Sequence, residues 1–146
     1  MDSARYIALI DELCFRPFPA EHGPSDTGAG GPGWHLAELT SSHGLRGGGP
    51  ARRAATVEQC EKERDALYER VASRWGEGDV LNLQTVLLRT EREEIPEPWA
   101  SLSARARVAY LWAARGTGRW VAVAVADRDE ADEVQLVAVV TQTDPP

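Results

Sequence analysis

Near the N-terminus apolar residues recur at three- and four-residue spacings. Tyr6, Ile7, Ile10, Leu13 and Cys14 form one stripe on a helix expected from Ser3 to Cys14. Ser3 offers a cap for the first turn, and Pro17 and Pro19 stop the helix. The period then vanishes. Residues 17–55 are rich in Gly and Pro, as in Gly28-Ala29-Gly30-Gly31-Pro32-Gly33 and Gly47-Gly48-Gly49-Pro50. Such a stretch buries little apolar surface to offset its ordering entropy, and reads as a mobile linker with at most a helical turn near Trp34–Leu39.

Helical period returns with Cys60, Leu67, Tyr68, Val71 and Trp75. Thr56-Val57-Glu58-Gln59 fits a capping box at the start, and Gly76 a left-handed stop at the end. Arg64 lies along the stripe by its methylenes, and Glu58 and Lys62 make an i,i+4 pair. Burial of Leu67, Val71 and Trp75 contributes about 1.5–3 kcal/mol each.

Beyond Gly76 the period switches to two. A strand is expected over 80–90, with Val86 and Leu88 breaking the alternation as at a bulge. An extended loop follows through Ile95-Pro96-Glu97-Pro98-Trp99. Arg107–Ala113 and Arg119–Ala126 alternate across an Arg115-Gly116-Thr117-Gly118 hairpin, and Val134–Thr141 alternates again. The expected fold is α+β: an antiparallel four-stranded sheet with one long amphipathic helix on one face, plus a separate N-terminal helix on a long Gly/Pro-rich linker. The corresponding division is an N-terminal helix over 1–16, a flexible linker over 17–55 and a core domain over 56–146. The last strands are apolar on both faces. The alanine side (Ala122, Ala124, Ala138) suits the helix, so the valine side needs the N-terminal helix, a second copy or a partner.

Composition narrows the functional classes. The chain has 146 residues and a net charge of −7. Acidity argues against DNA, RNA or anionic membrane and favours a basic partner protein. No run approaches the roughly 20 apolar residues of a membrane span. The acidic, interrupted N-terminus does not fit a signal peptide. A cytoplasmic location is expected, with Cys14 and Cys60 as buried free thiols. Arg so outnumbers Lys, beside abundant Ala and Gly, that a GC-rich bacterial coding bias is the natural reading.

Catalytic and cofactor motifs are thin. The letters G-x-G-x-x-G at 28–33 lack a preceding strand and contain Pro32, so no dinucleotide site is expected. His22, His35 and His43 fall in the linker at spacings too loose for zinc, and are expected to face solvent. Neither a metal nor another cofactor is expected. Two acidic clusters stand out. Glu93, Glu94 and Glu97 sit beside Trp99, where an apolar neighbour would raise a carboxyl pKa; Trp99 reads as a plug or a contact residue. Asp127, Asp129, Glu130, Asp132 and Glu133 form an acidic loop that lacks the glycine of a calcium site.

The helix-then-sheet layout resembles several groups of small bacterial interaction proteins, including some immunity proteins of toxin systems and secretion-chaperone-like domains. That resemblance implies a non-catalytic interaction module that binds a basic partner. Two alternatives stay open: a homodimeric structural or regulatory protein, and a small ligand-binding domain or enzyme using the Glu93–Trp99 region.

Overall fold

The computed structural model describes residues 3–40, 49–130 and 133–146. Among these the chain forms, in order, helix α1 (Ser3–Phe15), strands β1 (Gly23–Pro24), β2 (Gly28–Gly31) and β3 (Trp34–Glu38), helix α2 (Gly49–Trp75), strand β4 (Asp79–Asn82), helices α3 (Leu83–Arg89) and α4 (Trp99–Arg105), and strands β5 (Val108–Ala114), β6 (Arg119–Ala126) and β7 (Gln135–Thr141). The α+β class holds. The sheet, however, has seven antiparallel strands in the order β1-β2-β3-β7-β6-β5-β4, not the expected four.

The three extra strands come from the stretch expected to be a linker. β2 and β3 pair as a tight hairpin across Pro32–Gly33, and β3 pairs with β7 from Trp34↔Thr141 to Glu38↔Val137. Trp34, His35, Leu36 and Ala37 are all buried. A strand covered on both faces loses the polar–apolar alternation that would have betrayed it. The helical turn expected at Trp34–Leu39 is therefore strand instead.

The 80–90 segment is corrected as well. Only Asp79–Asn82 is strand. The Asn82 side chain accepts from the Gln84 and Thr85 backbone N–H groups and caps α3. Leu83 and Val86, one helical turn apart, are both buried. The break in alternation was a change of period rather than a bulge. Thr56 is not a cap: α2 begins by Gly49, and the Thr56 hydroxyl donates to the Arg52 carbonyl one turn back (3.1 Å).

Helices cover both faces. The valine face (Val121, Val123, Val125, with Leu136 and Val140) packs against Tyr6, Ile10 and Leu13 of α1 and Cys60, Leu67 and Val71 of α2. The alanine face (Ala109, Ala122, Ala124) packs against Leu83 and Val86 of α3 and Trp99 and Leu102 of α4. Large side chains on short helices fill the space that alanines leave, while the bulky valines support the wide stripe of α2. The assignment of the long helix to the alanine side is thus reversed. Neither face needs a second copy or a partner to seal it.

α1 is docked on the sheet and on α2. The Tyr6 hydroxyl donates to Glu63 (3.3 Å), Arg70 Nε donates to Ser3 Oγ (2.8 Å), and Arg74 pairs with Asp11. Among the described residues no helix is long and apolar enough to cross a membrane.

Candidate protein interface at the open edge of the sheet

The two acidic clusters lie at opposite ends of the sheet. Ala126 pairs with Gln135, so the loop after Asp127 closes one end. Trp120 pairs with Thr141, and the Trp99 indole N–H donates to the Thr143 carbonyl (3.2 Å) at the other. They form no common site.

Within the first cluster each group has a place. Glu93 pairs with Arg89 (2.7 Å), and that hydrogen bond holds the exposed carboxyl below the usual range. Glu97 Oε2 accepts the Ser101 N–H (3.1 Å) at the start of α4. Glu94 is exposed. Trp99 is fully buried in the α3–α4 layer, so it is the plug and not the contact residue. The arrangement does not place the cluster's carboxylates around an apolar pocket as acid and base.

In the second cluster, Asp129 and Glu130 are exposed and Asp127 and Glu133 are half-buried. Asp132 lies outside the described residues. Arg53 of α2 donates to the backbone carbonyls of Asp127 (3.2 Å), Asp129 (2.8 Å) and Glu130 (3.4 Å). The loop therefore folds back on a cation of its own chain. Beside it, a shallow cleft of about 130 Å³ is lined by Glu61, Arg64, Arg107, Val108, Val125 and Asp127. Its charges already meet one another: Arg107 lies 3.6 Å from Asp127 and Arg64 lies 4.0 Å from Glu61.

The histidines and thiols are also accounted for. His22 is exposed as expected, and His43 lies outside the described residues. His35 is instead buried on β3. Its Nε2–H donates to the Arg16 carbonyl (3.3 Å) and its ring packs on Phe18. Burial holds this imidazole below its ordinary pKa. Cys14 and Cys60 are free and buried. Burial, helped by Asp11, pushes the Cys14 thiol up to about 11, and burial raises Cys60 as well. Among the described residues no group of three or more His, Cys, Asp or Glu side chains comes together to hold a metal ion.

Sequence reasoning placed a strand from residue 80 but ran it on to residue 90, and did not see that β4 is a short strand at the rim of the sheet. It is held by the turn that precedes it. The Trp112 indole N–H donates to the Gly76 carbonyl (2.9 Å), and the Gly78 N–H donates to the Tyr68 hydroxyl (3.0 Å). A Cβ on Gly78 would stand 2.7 Å from the Trp112 ring, so only glycine lets the chain pass this close. Gly76 itself takes φ +88°, ending α2 as its sequence suggests.

The ladder then fixes which backbone groups stay free. Leu83 N–H donates to the Arg107 carbonyl (3.0 Å), and the register runs Asn82↔Val108, Val80↔Tyr110. Antiparallel pairs alternate between bonded and non-bonded. Asp79 and Leu81 therefore bond to β5, and the N–H and C=O of Val80 point away from the sheet. The Val80 side chain is 67% exposed, among the most exposed large apolar residues described. Glu77 and Asp79 beside it are exposed acids. The signal was present as a short Asp-Val-Leu-Asn strand ahead of an Asn cap, hidden by reading through the cap.

The chain matches no protein-family model, no curated protein and no solved structure.

Proposed function

We propose that the chain is a non-catalytic protein-interaction module that docks a basic partner protein, in the manner of a small immunity- or chaperone-like protein. The reading rests chiefly on where the acids stand. The chain carries 23 acidic against 16 basic residues. Glu77, Asp79, Glu91, Glu94, Asp129 and Glu130 all present their carboxylates on the surface. The groups with more demanding chemistry, His35, Cys14, Cys60 and Trp99, are packed into the core. Surface carboxylates steer and select a cationic partner more than they add affinity. The two buried free thiols fit a reducing compartment such as a bacterial cytoplasm.

A tagged chain incubated with lysate of its native cell tests this. At about 50 mM salt it retains a basic protein, and raising salt to roughly 0.5 M, where the screening length falls to a few ångströms, releases it. Retention of no basic protein at low salt contradicts the reading.

A further inference from the structure

The two rims of the sheet are built differently. β1 has two residues and one of them, Pro24, has no N–H to offer a neighbour. β4 presents a free N–H and C=O at Val80, on a strand locked by Trp112 and Tyr68. Among the described residues no strand lies outside it. Its side chains also divide by face. Val80 sits opposite Tyr110 on the α2 side, and Asp79 sits opposite Leu111 on the α3 side.

We infer that β4 is the docking rim for an extended segment of the basic partner, which adds as a further strand and pairs its backbone with Val80. The inference rests on the basic-partner reading and names its surface. Strand addition uses main-chain hydrogen bonds for affinity and alternate side chains for specificity. Here the segment's residues on the α2 face meet the exposed Val80 and are apolar. Those on the α3 face meet Asp79, with Glu77 close by in the chain, and are Lys or Arg. The partner motif is thus alternating cation and aliphatic residue over the short length that β4 offers. The central strands are covered on both faces by the chain's own helices, and the β4 edge is where backbone can be shared.

The test uses the full ¹⁵N-labelled chain and a synthetic peptide alternating lysine and valine. A second peptide of the same sequence is N-methylated at the positions whose N–H would face β4. The first peptide slows exchange of the Val80 amide, and N-methylation weakens binding about tenfold or more, or roughly 1.4 kcal/mol. Val80→Pro removes an N–H that bonds nothing inside the sheet, and weakens binding equally. The double variant Glu77→Lys, Asp79→Lys does the same by charge. If Val80→Pro unfolds, the N-methylated peptide on the unaltered chain decides. Equal binding of both peptides, or a footprint confined to Asp127–Glu130, overturns the edge while leaving the basic-partner reading intact. Binding of neither peptide at low salt overturns the edge, and the basic-partner reading then stands or falls on the lysate retention alone.

Discussion

The Arg119 guanidinium lies 3.9 Å from the centre of the Phe18 ring, and its Nη1 donates to the carbonyls of Leu13 (2.6 Å) and Arg16 (2.7 Å). Those carbonyls belong to the end of α1, where helical acceptors have no partner of their own. A residue at the start of β6 thus closes a helix more than a hundred positions earlier. Arg119→Lys keeps a charge but loses the planar fork and its stacking on Phe18. It should cost about 1–2 kcal/mol in chemical denaturation.

Trp99 fills the layer between α4 and the alanine face, and its indole N–H is satisfied by Thr143. Trp99→Ala should cost about 3–5 kcal/mol by leaving a cavity. Trp99→Phe should cost about 1–3 kcal/mol, part of it from the orphaned Thr143 carbonyl. Because this residue plugs the core, peptide affinity measured on the folded Trp99→Phe variant stays unchanged.

Burial lowers the His35 pKa in the folded chain, its donated bond to Arg16 working the other way. Between the unfolded value near about 6.5 and the lower folded value, the unfolded chain holds a proton that the folded chain does not. Stability therefore rises with pH through that window and is lost as pH falls through it. Thermal melts between about pH 7.5 and about pH 5.5 should show this loss, and His35→Leu should show less of it.

A thiol pushed up to about 11 is protonated at neutral pH, and Cys14 is buried besides. Neither Cys14 nor Cys60 should react with maleimide in the native chain. Both should react once denaturant opens the core. Rapid native labelling, read by mass spectrometry, contradicts the packing.

Local pattern carried α1, most of α2 and strands β5, β6 and β7, because each has one period sustained over several turns or pairs. It failed where tertiary cover removed the pattern. Trp34–Ala37 suggests at most a helical turn, because burial on both faces removes the alternation of a strand. Leu83 and Val86 were absorbed into a strand because the Asn82 cap went unread. With α3 and α4 unread, one sheet face has no cover in the sequence, and a second copy is then one way to supply it. The acidic residues were legible as acids, but their partners (Arg89 for Glu93, Ser101 for Glu97, Arg53 for the loop carbonyls) depend on folding. The open edge at Val80 follows from register, which single residues do not announce.

Amide hydrogen exchange at Val80, read residue by residue in the free chain and with the lysine–valine peptide, addresses that edge directly. In the free chain the Val80 N–H should exchange quickly while those of Leu81 and Leu83, bonded to β5, stay protected. Adding the peptide should slow Val80. A Val80 amide already as protected as Leu81 in the free chain contradicts the account.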